Sequence, residues 1–192
     1  MNIVQRVKDI ILKPKEAWQE IKAEPTTVSQ LFTTYAALLA LIPPLAFFVG
    51  FNILSASFGL YFGRGIGYAA VQYVLSLAGL YIFGLIIDAL APSFGSQKNK
   101  TNAMKVAVYS MTPYWVASLL YIIPSLALGG LVGLVSLYSI YLFYLGLPIL
   151  METPQEKTLG YVIVVIVVSL IIFALIGAIT GGIFGMGMRR WF

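Results

Sequence analysis

Charged side chains are absent from four long runs of this chain, residues 25–63, 65–87, 106–151 and 158–188. A helix needs roughly 20 apolar residues to cross the ~30 Å hydrocarbon core of a bilayer, and every one of these runs is long enough. The third run holds 46 residues between Lys105 and Glu152. As one helix it would extend about 69 Å, more than twice the bilayer core. It must therefore turn back as a hairpin of two spans, with Pro124, Gly129 and Gly130 marking the turn. The pattern predicts spans near 31–57, 67–90, 103–125, 127–150 and 158–186. Pro43 and Pro44 interrupt the first, and either half alone is too short to cross. A kinked single span follows, with a re-entrant first segment as the alternative. The predicted fold class is an all-α integral membrane protein: a five-transmembrane-helix bundle over residues 31–192, preceded by a leader, residues 1–30.

The leader is patterned differently. Its first 24 residues hold nine charges and no apolar run of signal-peptide length. Ile3, Val7, Ile10, Trp18 and Ile21 recur at helical spacing, while Arg6, Lys8, Lys13, Lys15, Glu16 and Glu20 lie off that stripe. Pro14 splits the pattern and suits the first turn of a second short helix. This predicts an N-terminal amphipathic interfacial helix, with Trp18 as a headgroup-level anchor.

Composition adds a topology. Hydrophobic residues make up 60% of the 192 positions and charged ones 10%, which is the membrane class. With five spans, Arg6, Lys8, Lys13, Lys15, Lys22, Lys98, Lys100, Lys105 and Lys157 share the N-terminal side, against Arg64, Arg189 and Arg190 opposite. The positive-inside rule then puts the N-terminus in the cytoplasm and the C-terminus across the membrane, although the Arg189–Arg190 pair pulls the other way. The net charge of +5 suits anionic headgroups on the cytoplasmic side rather than nucleic acid. Without cysteine or histidine there is no thiol chemistry, and the commonest general base and metal ligand are missing. No catalytic constellation, phosphate loop, metal cluster or cofactor motif is present. The G-x-G match at 63–67 has no strand before it.

Three features carry candidate chemistry. Asp88 is the one acid within a predicted span, and an ionisable group at membrane depth is a functional candidate. Lys105 begins the third span on the same side, so an Asp88–Lys105 pair tethering two helices is expected, beside simple interfacial exposure or a transport role. Tyr138, Tyr141 and Tyr144 recur every third residue on one helical face. With Tyr109, Tyr114 and Tyr121 on the neighbouring span, and Ser110, Thr112, Ser118, Ser136 and Ser139 nearby, they could form a polar seam. That seam is either hydrogen-bonded glue between helices or a ligand or ion path. Finally, Gly177, Gly181 and Gly185, and again Gly129 and Gly133, have the four-residue spacing of close helix packing, within the monomer or across a homo-oligomer face.

Several of these residues resemble the bacterial branch of the Yip family (Ypt-interacting protein type) of five-span membrane proteins. The resemblance rests on Tyr109–Ser110 with Thr112–Pro113, on Pro124, and on LYSIYLFYLGLPILM at 137–151. Asp88 with Pro92 and Gly95 fits as well, as do Pro14, Trp18 and Glu24. It implies five helices with a cytoplasmic N-terminus, and an inner-membrane location as in bacterial relatives. Eukaryotic members are linked to vesicle traffic and bind prenylated Rab-type GTPases through longer N-terminal regions. The expectation is a non-enzymatic inner-membrane protein that organises lipid or partner proteins. A small-solute or ion channel along spans three and four is the alternative.

Overall fold

Helix signals in the leader are met at once. Asn2 accepts from the backbone of Val4 and Gln5 and so caps α1, Ile3–Leu12. Pro14, with no N–H to lose, opens α2, Pro14–Ala23. Thr27 and Gln30 then form a reciprocal capping box that starts α3, Val28–Phe48. The computed structural model describes residues 2–50 and 62–188.

Within α3 the helix is not uniform. Phe32–Ala36 is a π-helical turn, and the regular ladder breaks at Ala40 and Leu41, just ahead of Pro43 and Pro44. That is the kink the two prolines require, because neither supplies an N–H to the carbonyls four residues upstream. The far end of the first predicted span, 51–57, lies outside the described residues. So do the Arg189–Arg190 pair and the surroundings of Gly177, Gly181 and Gly185.

The long elements follow the charge-free runs. Helix α4 covers Phe62–Leu90 and ends in a 3₁₀ turn, Ala91–Phe94. Gly95 closes that turn at φ +69°, a left-handed conformation for which glycine is suited. Asn99 caps α5, Lys100–Ser110, and Thr112–Ala117 forms α6, followed by a 3₁₀ segment, Ser118–Ile122. Then come α7, Leu126–Leu150, and α8, Gln155–Met188. The chain turns at 123–125, beside Pro124 as expected, but Gly129 and Gly130 lie inside α7 rather than in the turn.

Among the described residues, every regular element is helical, and four helical stretches are long and apolar enough to cross a membrane. They are Val28–Phe48, Ala69–Phe94, Leu126–Leu150 and Gln155–Ala174. The third predicted span is instead a broken rod. It starts as α5, kinks at Met111 where Pro113 removes a donor, and finishes as α6 and its 3₁₀ extension. This rod packs between α4 and α7, while α8 lies against both of those helices and α2 lies against α7. The core runs from Ile10, Trp18 and Ile21 of the leader through Tyr35, Ile87, Met104 and Val108 to Leu142, Leu147 and Tyr161.

Candidate functional site

The leader does not float on the bundle; it is bolted to it. Trp18 is 0% exposed, and the face of its indole covers Gly146 of α7. A Cβ built on Gly146 would come within 2.9–3.2 Å of three indole carbons, so hydrogen is all the helix can present there. Trp18 meets Tyr109 edge-on at 6.3 Å between ring centroids, Tyr109 meets Tyr35 at 4.7 Å, and Tyr35 meets Trp115 at 6.4 Å. Four rings from the leader, α5, α3 and α6 thus form one continuous aromatic column through the core. The Tyr35 hydroxyl shares a 2.9 Å hydrogen bond with Thr112, which leaves neither hydroxyl orphaned at that depth.

The predicted headgroup anchor is therefore corrected. The stripe Ile3, Val7, Ile10, Trp18, Ile21 is the buried face of the leader, but it turns toward α5 and α7 rather than toward lipid. A protein groove with a glycine-sized notch offers the indole closer packing than disordered acyl chains can.

Lys105 forms the second bolt. Its ammonium is buried and donates to the carbonyls of Ile21 and Glu24, both at 2.7 Å. These oxygens belong to the C-terminal end of α2, where the last carbonyls of a helix lack partners and the dipole favours a cation. The expected Asp88–Lys105 pair is thus not formed. Asp88 Oδ1 is buried with no hydrogen-bond partner among the described residues, and its neighbour Ile87 accepts a hydrogen bond from the Tyr161 hydroxyl through its carbonyl. With nothing holding that oxygen, and an amide cheaper to bury than a carboxylate, Asp88→Asn is expected to leave stability within about 0.5 kcal/mol of the parent or raise it. Thermal unfolding of the detergent-solubilised variant checks this, and a lowered midpoint would restore a structural role for the acid.

Three further contacts complete the dock. Arg6, expected on the polar face, is buried and pairs with Glu20 at 3.2 Å and Glu24 at 2.7 Å, locking α1 to α2. Tyr138 donates to the carbonyl of Ile11 at 2.9 Å. Glu152 accepts from Lys22 at 3.0 Å and from Gln97 at 2.7 Å, joining the leader, the loop after α4 and the α7–α8 turn. Glu152 holds a left-handed φ of 54°, a backbone cost of about 1 kcal/mol that these contacts over-determine.

The tyrosine seam is divided. Tyr138 reaches the leader, while Tyr141 and Tyr144 are 44% and 38% exposed on the outer face of α7. Tyr109 belongs to the aromatic column, and Tyr121 meets Phe47 at 6.5 Å. Tyr114, Ser136 and Ser139 do come together, on the wall of an open apolar groove. Thr112 and Pro113 are buried where the rod kinks. Within this chain Gly129 and Gly133 are not points of close packing, since a Cβ on either would meet no described atom within 4 Å. The close approaches are at Gly50 against the backbone of Tyr121 and Ile122, Gly84 against Met104 and Gly146 against Trp18. None of the three has a partner glycine at four-residue spacing that would have flagged it.

Comparison with known proteins covers this whole arrangement. A family model described as the Yip1 domain matches residues 8–176, from the middle of α1 to well inside α8. The chain is similar to the inner membrane protein YohC of Escherichia coli strain K12, with 28% identity over 183 residues, covering 92% of this chain and 94% of the relative. The YohC of Escherichia coli O6:H1 strain CFT073 matches to the same extent. No solved structure matches.

Proposed function

The chain belongs to the Yip1 domain family, and on that premise we propose that it is a non-enzymatic, integral inner-membrane protein that organises membrane lipid or partner proteins. The observation that carries this is the docked leader. A segment of about 20 residues, tied down by a buried indole, a buried ammonium and an internal Arg6–Glu20–Glu24 cluster, is a rigid platform rather than a flexible tether. Its outward side carries exposed Lys8, Lys13 and Lys15, a charge pattern suited to anionic headgroups or an acidic partner. The family match begins within α1, so the platform belongs to the matched domain. The inner-membrane placement rests on the similarity to the inner membrane protein YohC.

Five crossings fit the geometry. The start of α5 and the end of α7 lie together, since Asn102 donates to the carbonyl of Leu150 at 2.8 Å. Helix α7 runs about 37 Å from that end, so its start at Leu126 lies at the far side. The broken rod between Lys100 and Leu126 must then cover the same depth. With the positive-inside bias this supports a cytoplasmic N-terminus and a C-terminus on the opposite side. The chain has no native cysteine, so single-cysteine variants report cleanly. Cysteines at Lys8, Gln97 and Glu156 are expected to label with an impermeant maleimide from the cytoplasmic face, and one at Ser125 from the other. Labelling of Ser125 from the cytoplasmic face would reduce the count.

The channel alternative loses support because Tyr141 and Tyr144 are exposed rather than buried in a seam between α7 and the α5–α6 rod. Proteoliposomes carrying the full chain are expected to leak neither ions nor small solutes above empty vesicles. Leak that disappears with Tyr138→Phe or Tyr141→Phe would overturn the organising role. Loss of a cross-linked partner, or of co-purifying anionic lipid, on deletion of residues 1–24 would support it.

A further inference from the structure

The leader meets α7 along a line, and the order of the contacts gives the direction in which it lies. Lys22 pairs with Glu152 just past the end of α7, Trp18 covers Gly146, and the carbonyl of Ile11 accepts from Tyr138. Tyr138 stands twelve residues before Leu150, about 18 Å along the helix. The corner between α1 and α2 is therefore the deepest part of the leader, and the Arg6–Glu20–Glu24 cluster closes its other end. Leu12 projects at that corner with 74% of its surface exposed, next to an exposed Lys13. An apolar tip flanked by lysine suits the boundary of the acyl layer, where ammonium groups reach back to phosphate.

Beside this hairpin, between α2 and α7, lies an open cleft of about 530 Å³. Counted from Leu126, Tyr144 and Pro148 on its wall lie about 27 and 33 Å along α7, at the edge of a ~30 Å core. Asp88 stands at the same height, since α4 runs the same way as α7 and its Phe83 meets Phe143 at 5.5 Å. The cleft is thus at headgroup level on the leader side.

Its wall is divided. Lys15 and Gln19 of α2, Gln155 at the start of α8 and the hydroxyl of Tyr144 are donors. None of these four side chains has a hydrogen-bond or ion-pair partner among the described residues. Leu145 and Pro148 form an apolar floor. The acid on the wall is Glu16, and Lys13 lies 4.0 Å from its carboxylate, so the ammonium of Lys15 is left over. Deeper in the membrane, Leu134, Leu137 and Tyr141 continue from Tyr144 at helical spacing, and all four are exposed. One apolar face of α7 therefore runs from the cleft into the core.

We propose that the cleft seats one anionic phospholipid of the leader-side leaflet. Its phosphate sits on Lys15, with Tyr144, Gln19 and Gln155 donating around it, and its acyl chains lie along the Leu134–Tyr144 face of α7. One unmatched ammonium suits one phosphate diester, whereas a zwitterionic headgroup brings a cation of its own beside Lys13 and Lys15. The inference rests on the organising role proposed above and selects lipid over an acidic protein partner, because the face that continues from the cleft lies within the core, where acyl chains are and a water-borne protein is not.

Native mass spectrometry of the full chain tests it, with dioleoyl phosphatidylglycerol or dioleoyl phosphatidylcholine added to the detergent. One phosphatidylglycerol per chain is expected to be retained in preference to phosphatidylcholine. Lys15→Gln is expected to weaken retention roughly tenfold, as loss of one charge-assisted hydrogen bond does, and Tyr144→Phe a few-fold. Lys100→Gln is expected to leave it unchanged, since that ammonium is held at Tyr81, outside the cleft. Hydrogen exchange over 3–23 is expected to be the same in Lys15→Gln as in the parent, which separates a lost lipid from an undocked leader. Equal retention of the two lipids, an equal loss in Lys100→Gln, or displacement by millimolar glycerol 1-phosphate would each overturn the proposal. Retention that is lost on deletion of residues 1–24 but indifferent to Lys15→Gln would overturn the cleft and leave the organising role standing.

Discussion

Trp18→Ala is expected to release residues 3–23 from the bundle while leaving the membrane helices in place. The indole is the largest side chain in the core that is fully buried, and its removal leaves a hole between α2, α5 and α7. Large-to-alanine changes of this kind cost about 3–5 kcal/mol. That loss falls on the leader, because α3, α4, α7 and α8 each have a bilayer to keep them helical. Hydrogen exchange in nanodiscs should show protection lost over 3–23 and kept over 135–170, and trypsin should cut after Lys15 and Lys22 far faster. Trp18→Phe should be milder than its volume suggests, since the indole N–H has no hydrogen-bond partner among the described residues and phenylalanine removes that unmet donor. The glycine side offers an independent check. Gly146→Leu inserts carbon where the indole lies, within about 3 Å of its ring atoms, and should eject the leader with Trp18 intact. Combining it with Trp18→Ala lets the leucine occupy the vacated space, so protection should partly return. Unchanged exchange over 3–23 in both single variants would show that the notch does not hold the leader.

Much of this frame is visible in the sequence, for reasons that also say what is hidden. Runs without charge must be long to cross a bilayer, so the bounds of α7 and α8 fall within a few residues of the spans expected at 127–150 and 158–186. Pro14 and Gly95 act through their own backbone, and each marks its position without help from a partner. The stripe through Trp18 is equally legible, but periodicity reveals only that one face is apolar. Lipid and a protein groove are both apolar, and what separates them here is Gly146, which stands in an ordinary-looking LGLP. The broken third span was concealed by its composition, because hydropathy counts the residues of α5 and α6 together and ignores the donor missing at Pro113. Lys105 was misjudged for a physical reason. A buried cation suggests a search for an acid in a neighbouring span, which pointed Lys105 toward Asp88. Its acceptors are main-chain carbonyls of Ile21 and Glu24, groups that every residue has and that only the end of a helix leaves open.

Lys105→Met should therefore damage the same dock from the opposite side. Methionine keeps most of the buried stem but leaves the carbonyls of Ile21 and Glu24 facing each other without a donor. Hydrogen bonds to a charged group contribute about 1.5–3 kcal/mol each, and relief of the buried ammonium's own desolvation offsets part of that. A net loss of about 2–3 kcal/mol in leader docking is the expected result, read from hydrogen exchange over 14–24. Lys105→Arg is expected to fail as well, because a planar fork cannot enter a site shaped for a compact ammonium. Double variants then assign the role. With Trp18→Ala, the second change should cost little, because both side chains hold one element and a leader already released cannot be released again. With Asp88→Asn, the two effects should add within about 0.5 kcal/mol, as they must if no ion pair joins them. Strong coupling between Lys105 and Asp88, together with additivity between Lys105 and Trp18, would reverse the assignment and return the lysine to a tether between α4 and α5.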